Sequence, residues 1–320
     1  MKEGLSRRKL FSMAGVAAAA LGVKMPLYGK AFSKALNTGS ASYMFEGINF
    51  PKVDRIVDMH VHYRHNEPGF IDTYLKLADR LNMTACMLTP FEHRKVVADA
   101  AKKYPNRIVP FGALQLDAPD ATKQMAEFHD LGYRGLGEIS SMQNNCSDPK
   151  YFPIFELSSQ YKWILMFHTG IVGRDDFNKA ENVASGRMRP IYLEEIARQF
   201  PKLIILGAHL GNPEYEWAGE VTRWNPNIYF DLSGTTLTKM AKRLADFQKI
   251  FWWADDDWEG QPTPDKSPYS KIVFGTDTRT DNIEHVLNQY WAMFEACEVP
   301  ADTRKMILGG AMARMLGLKD

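Results

Sequence analysis

Short apolar segments alternate with segments of helical periodicity along this chain, and this alternation constrains its fold more than any other feature. Each apolar segment has the length of a strand and too few polar residues to leave one face in solvent, so we expect strands buried on both faces. Eight such segments occur, at residues 53–61, 84–88, 108–114, 134–139, 163–167, 203–208, 228–232 and 271–275. Helices are predicted after them, at residues 71–81, 95–104, 121–131, 152–160, 191–200, 214–222, 237–251 and 282–296, and a closing helix at 302–316.

Eight βα units within 320 residues predict an α/β fold, a (β/α)8 TIM barrel that forms a single catalytic domain. A doubly wound sheet uses the same units. The first strand–helix turn has no GxGxxG motif, however, which argues against the dinucleotide-binding version of that fold. No internal repeat or low-complexity linker divides the chain further.

The first 35 residues differ in kind from the rest. Arg7 and Arg8 stand directly before a modestly apolar stretch at residues 13–23, and this order resembles a twin-arginine export signal. We therefore expect residues 1–35 to be that signal, residues 36–320 to be the barrel domain, and the mature protein to be periplasmic. An amphipathic or disordered N-terminal arm is the alternative. No later stretch of 18 apolar residues occurs, so we expect no membrane association after signal removal.

Charge and cysteine content narrow the choice of partners. The formal net charge is +1, which gives no reason to expect nucleic acid as a partner. The three cysteines lie far apart and form no CxxC motif, so neither a disulfide framework nor a thiolate metal site is expected. A small-molecule substrate is the natural partner, and a homo-oligomer is compatible with the sequence.

Histidines and carboxylates gather where the predicted strands end. In a barrel these ends form one rim, and catalytic residues come from it. Four of the eight histidines occupy such ends, together with an aspartate; these residues are His60, His62, His168, His209 and Asp277. His60 and His62 are two residues apart in one strand, so both point to the same side. Imidazoles with one carboxylate and no thiolate suit Zn²⁺, with Mn or Fe as alternatives.

The motifs at this rim resemble the amidohydrolase superfamily, and more closely the amidohydrolase-related group that includes aminocarboxymuconate semialdehyde decarboxylase and related hydrolases. They are the stretch from Asp58 to His62, the Phe-His-Thr-Gly at His168, the Gly-Ala-His-Leu-Gly at His209, the Phe-Asp-Leu-Ser-Gly at Asp231 and the Phe-Gly-Thr-Asp at Asp277. The resemblance implies one divalent metal surrounded by His60, His62, His168 and Asp277. It also implies two catalytic residues: His209 would activate or orient the metal-bound water, and Asp277 would accept its proton.

Glu138 departs from the pattern of the superfamily, whose binuclear members often carry a bridging lysine on the fourth strand. A glutamate at this position is open to three interpretations. It binds a second metal ion, as in some metal-dependent nucleases, or it contacts substrate or a metal ligand, or it is a structural carboxylate at the rim. The number of metal ions therefore depends on Glu138.

Arginines in the loops after the strands favour an anionic substrate, and Arg64 and Arg174 are the first candidates to bind it. Together these observations predict a metal-dependent hydrolase that acts on a C–O or C–N bond of a small, carboxylate-bearing molecule through a metal-activated water at the barrel mouth. A metal-dependent non-oxidative decarboxylase would use the same residues and is the alternative. A non-enzymatic binding protein on the same scaffold is disfavoured by the intact ligand set.

Overall fold

Seven parallel strands form one curled sheet in which every strand pairs with the next one in the sequence. The computed structural model describes residues 54–173, 183–252 and 267–318. The strands are β1 (Ile56–His62), β2 (Met83–Pro90), β3 (Ile108–Ala113), β4 (Gly135–Ile139), β5 (Ile164–Phe167), β6 (Ile204–Gly207) and β7 (Ile228–Phe230). All seven match predicted strands, and the α/β class is confirmed.

The predicted eighth strand, residues 271–275, is not a regular strand, and that prediction is wrong in this respect. The segment makes an isolated parallel bridge from Ile272 to Phe230. It also exchanges one backbone hydrogen bond with each neighbour: Val273 N donates to Phe230 O (2.9 Å), and Met59 N donates to Phe274 O (2.9 Å). The ladder stops there because the amide of Gly275 donates to the hydroxyl of Tyr290 and not to a carbonyl of β7.

Helices follow the strands as predicted, with two differences. They are α1 (Phe70–Leu81), α2 (Arg94–Lys103), α3 (Ala121–Asp130), α4 (Phe152–Gln160), α5 (Pro190–Gln199), α6 (Tyr215–Trp224), α7 (Thr236–Lys239), α8 (Asp246–Ile250), α9 (Ile283–Ala296), α10 (Ala301–Lys305) and α11 (Ala311–Leu316). The single helix predicted at 237–251 is interrupted because Met240 is extended (φ −114°, ψ 97°) and ends α7. Within the described ranges, no helix is long and apolar enough to cross a membrane.

The closing helix predicted at 302–316 contains a π-helical turn, Met306–Gly310, between α10 and α11. This turn packs directly on β1. A Cβ atom at Gly309 would lie only 2.8 Å from Arg55 O and 2.9 Å from Val57 N, so glycine permits the close approach. Buried side chains of α11, among them Met312 and Leu316, join a core layer supplied by the strands.

Two β-bulges lie at the strand ends that carry predicted site residues. The register of β1 on β2 shifts between Asp58 and Val61, and that of β4 on β5 shifts between Leu136 and Ile139. A bulge inserts an extra residue and re-aims the side chains that follow it. Met59 packs in the core layer, while His60, the next residue, turns to the cluster described below, as alternation along a strand requires.

Candidate metal centre

The two histidines of β1 lie together at the strand end. His60 Nε2 and His62 Nε2 are 3.2 Å apart, and the His60 side chain is fully buried. Asp277 approaches both, with its Oδ1 atom 3.5 Å from His60 Nε2 and 3.4 Å from His62 Nε2. The amide of Asp277 also donates to His60 O (2.8 Å), which ties the end of the predicted eighth strand to β1.

Glu138, at the end of β4, stands at the centre of the cluster. Its Oε2 atom is 3.5 Å from His60 Nε2 and 3.6 Å from His62 Nε2. Its Oε1 atom is 2.8 Å from His168 Nδ1 and 3.3 Å from His209 Nε2. One carboxylate therefore contacts all four imidazoles. Every metal or catalytic candidate named from the sequence lies in this cluster, although the sequence left the role of Glu138 open.

Asp231 and Ser233, which follow β7, orient two of these imidazoles. His60 Nδ1 is 2.8 Å from Asp231 Oδ2, and His209 Nδ1 is 2.8 Å from Ser233 O. Because an aspartate and a carbonyl accept hydrogen bonds, Nδ1 of each ring carries a proton, and in the neutral ring the lone pair of Nε2 points into the cluster. The sequence analysis included Asp231 and Ser233 in a motif but assigned neither of them a role in the site. Their place at the end of the predicted seventh strand was the available signal.

Backbone conformation contributes to the placement of two site residues. His209 and Asp277 adopt left-handed conformations, with φ of 63° and 45°. Such values are uncommon outside glycine and concentrate at functional sites. The turn that carries His209 is held by Thr169, whose hydroxyl donates to Ala208 O and accepts from Gly211 N.

The chemistry of the donor set fits a metal ion. Two overlapping groups, His60–His62–Glu138 and Glu138–His168–His209, each place three ligand atoms within 4.8 Å of one another. His168 Nε2 is buried and has no hydrogen-bond partner among the described residues. An orphaned imidazole nitrogen beside a carboxylate and other imidazoles is explained by a cation that binds it.

The electrostatics of the cluster favour positive charge. Burial lowers the pKa of His60, but the carboxylates of Asp277, Glu138 and Asp231 outweigh it and raise that pKa well above its usual value. Burial raises the pKa of Glu138, but the charge of His60 and hydrogen bonds from His168 and His209 hold it well below its usual range. Ionised carboxylates at this depth need compensation, which imidazolium groups or a metal cation can provide.

Of the two predicted substrate-binding arginines, Arg64 lies within the described residues. Arg174 lies outside the described residues. Arg64, two residues after His62, is partly buried, and its Nε lies 3.9 Å from Glu67 Oε1. A cavity of about 490 Å³ opens beside Glu138 at the ends of β2, β3 and β4. Its polar lining comes from Glu92, Gln115, Gln124, Glu138 and Ser140, and none of its described lining residues is a lysine or arginine.

The sequence of this chain matches the model of one protein family. The amidohydrolase family model matches residues 85–318, well over half of the chain. The chain belongs to the amidohydrolase family. The resemblance stated from the motifs is thereby confirmed, and members of this family are metal-dependent enzymes that act on small molecules. The match begins within β2, so His60 and His62 lie before it. No curated protein matches this chain.

Solved structures share the fold of this chain at low sequence identity. A TIM-barrel protein from Bordetella bronchiseptica is similar over 82% of this chain and 98% of its own, with a TM-score of 0.57 and 16% identity. A 5-carboxyvanillate decarboxylase from Sphingomonas paucimobilis is similar over 83% and 99%, with values of 0.56 and 14%. A probable 2-pyrone-4,6-dicarboxylic acid hydrolase from Acinetobacter baumannii, with citric acid bound, is similar over 82% and 100%, with values of 0.54 and 13%.

Proposed function

We propose that this amidohydrolase is a metal-dependent hydrolase that cleaves a C–O or C–N bond of a small molecule at the mouth of the barrel. The observation that carries the proposal is the position of Glu138 among four imidazoles, with Asp277 beside two of them. Asp231 and Ser233 orient two of these imidazoles through their Nδ1 atoms. Such a set of donors is suited to a divalent ion and to proton transfer next to it.

In this proposal His60, His62, His168 and Asp277 hold the ion together with Glu138, and Zn²⁺ is the first choice. When bound, the ion supplies Lewis acidity for a carbonyl group and lowers the pKa of water. His209 keeps its Nδ1 proton on Ser233 O, and its Nε2 atom, which lies 3.3 Å from Glu138 Oε1, would take a proton from the attacking water and return it to the leaving group. Asp277 would accept a proton from that water. Burial raises the pKa of Asp277, but the charge of His60 and a hydrogen bond from His62 outweigh burial and keep the carboxylate ionised, with a pKa of about 2.

The lining of the cavity beside Glu138 indicates which part of the substrate lies there. We propose that the reacting carbonyl lies at the metal centre and that a carboxylate of the substrate faces Arg64 and Arg174. The uncharged remainder would occupy the cavity, where Gln115, Gln124 and Ser140 offer hydrogen bonds without positive charge.

We also propose that residues 272–275 close an eight-stranded barrel between β7 and β1. The hydrogen bonds from Val273 to β7 and from β1 to Phe274 support this, although they form no regular ladder. Closure in this way would bring Asp277 to the same rim as His60 and Glu138.

The test combines metal loading with product analysis. Protein loaded with Zn²⁺ or Mn²⁺ is assayed against carboxylate-bearing lactones, amides and aromatic acids. We expect ring opening or amide cleavage, detected as acid release, and loss of several orders of magnitude in His168→Ala. His129→Ala is the matched control, because His129 lies on α3 and stacks on Tyr161 (3.9 Å between ring centroids), away from the cluster. Release of CO₂ with loss of a carboxylate would contradict hydrolysis and establish the decarboxylase alternative.

A further inference from the structure

We propose that Tyr290 is a positioning residue of the metal centre, whose hydroxyl sets the spacing between Asp231 and Asp277 on either side of His60. The inference rests on the proposed metal centre and adds a residue that neither the motifs nor the cluster contains. Tyr290 belongs to α9, outside the sheet, and its side chain is fully buried.

The Tyr290 hydroxyl lies in the gap between β7 and the segment at 272–275. It accepts hydrogen bonds from Leu232 N (2.7 Å) and Gly275 N (3.2 Å). It lies 3.2 Å from Gly275 O and 3.3 Å from Val273 O, and donates its proton to these carbonyls. One side chain thus satisfies backbone groups that a regular parallel ladder would otherwise pair.

The Asp231 side chain, which orients His60, fills the gap between β7 and the segment at 272–275. A Cβ atom at Gly275 would lie 2.8 Å from both Cβ and Oδ2 of Asp231, so the backbone at this position passes directly against the aspartate. A closer pairing of β7 with the segment at 272–275 would leave no room for the Asp231 side chain. We infer that Tyr290 maintains this separation and still satisfies the buried amides on both sides.

Two segments contact His60, and each contains a residue that is hydrogen-bonded to the Tyr290 hydroxyl. Leu232 stands between Asp231, which contacts His60 Nδ1, and Ser233, whose carbonyl contacts His209 Nδ1. On the other side Gly275 precedes Thr276 and Asp277, and Asp277 is bonded to the backbone of His60. A shift at the hydroxyl would therefore move both carboxylates relative to the same imidazole.

The ring of Tyr290 packs edge-on against Phe274, with ring centroids 4.9 Å apart, and this packing does not involve the hydroxyl. Phenylalanine keeps that ring and removes only the hydroxyl. The variant Tyr290→Phe therefore separates packing from positioning.

The experiment measures metal binding on the full-length chain, by competition with a chelator for Zn²⁺ and by the visible spectrum of the Co²⁺-loaded protein. Loss of a residue that orients ligands typically costs about 10–100-fold in metal affinity, and we expect Tyr290→Phe to show a loss of that size with a changed Co²⁺ spectrum. Tyr133→Phe is the matched control. Tyr133 is also buried, and its hydroxyl donates to Arg94 O (2.9 Å) away from the centre. We expect it to lower stability and leave metal affinity unchanged.

A double-mutant cycle tests whether Tyr290 acts through Asp231. If it does, the losses of affinity in Tyr290→Phe and Asp231→Asn are less than additive when combined. Additive losses, or Zn²⁺ affinity and a Co²⁺ spectrum equal to wild type in Tyr290→Phe, would overturn the inference. Should circular dichroism show that Tyr290→Phe does not fold, Gly275→Ala tests the same gap, and an unchanged Co²⁺ spectrum there overturns it.

The outcomes also separate this inference from the proposed function. Wild-type protein that binds these ions but hydrolyses nothing contradicts the proposed function alone. Ion binding that is indifferent to the Tyr290 hydroxyl contradicts the positioning role alone. Wild-type protein that binds none of these ions overturns both.

Discussion

At the scale of single residues, we expect the carboxylate of Glu138 to have the largest effect on metal binding. It is the one group that belongs to both ligand sets, because its two oxygens face different pairs of histidines. The sequence placed Glu138 on the rim but left three interpretations open. Its contacts favour a metal ligand over a structural carboxylate.

We therefore expect Glu138→Gln, which keeps the shape and removes the charge, to weaken Zn²⁺ binding by more than the roughly 10–100-fold typical of residues that only orient ligands. Chelator competition and metal analysis measure the affinity and the number of ions bound. Glu127→Gln is the control, since Glu127 pairs with Arg94 (2.6 Å) outside the cluster. Full Zn²⁺ affinity in Glu138→Gln would contradict the assignment.

Lys271 carries a second residue-scale prediction, on stability and pH. Its side chain is 2% exposed, its Nζ donates to Asn225 O (3.0 Å) and Pro226 O (2.9 Å), and burial lowers its pKa to about 7. An unfolded lysine has a pKa of about 10.4. Between these values the unfolded chain binds a proton that the folded chain does not, so the free energy of unfolding rises with pH from about 7 to about 10. Below this window both states are protonated and the slope vanishes.

We expect Lys271→Met to reduce that slope by up to about 1.4 kcal/mol per pH unit, the value for one proton. Urea unfolding at several pH values between about 7 and 10 measures it. Lys102→Met, at a largely exposed position on α2, should keep the wild-type slope. Identical slopes in Lys271→Met and wild type would show that Lys271 remains charged throughout.

At the scale of elements, two bulges and a π-helical turn set the geometry of the rim. The bulges in β1 and β4 lie just before or at His60 and Glu138, where they re-aim the side chains. The π-helical turn places Gly309 against the backbone of β1, so the C-terminal helices support the strand that carries the two histidines. Each of these irregularities lies inside a segment whose type was predicted correctly.

We expect Gly309→Ala to lower the free energy of unfolding by about 1–3 kcal/mol, the usual cost of overpacking, because its methyl group would meet backbone atoms that cannot move aside. Urea unfolding measures the change. Gly186→Ala is the matched control, as a Cβ atom there would meet nothing within 4 Å. Equal stability of the two variants would contradict the close packing of the turn on β1.

At the scale of the whole molecule, the family match and the export signal concern different parts of the chain. The match covers residues 85–318, and the predicted signal at residues 1–35 lies outside the described residues, so export stays a prediction. We expect the double variant Arg7→Lys, Arg8→Lys to remain in the cytoplasm, because the arginine pair is the feature on which the signal depends. Cell fractionation measures this, with Lys9→Arg as the control that keeps the pair. Recovery of the double variant from the periplasm would refute the twin-arginine assignment.

The sequence by itself determined the elements and the rim. Local periodicity was enough to predict seven strands, their helices and the histidines and carboxylates at the strand ends, because periodicity depends only on neighbouring residues. Tertiary structure decided which of these groups meet. His60 and Asp231 are 171 residues apart, and only their contact in the folded chain shows that one orients the other. Glu138 lies where the register of β4 on β5 shifts, and the irregular segment at 272–275 contacts the Tyr290 hydroxyl. Both depend on hydrogen bonds between residues distant in sequence, which no local pattern records.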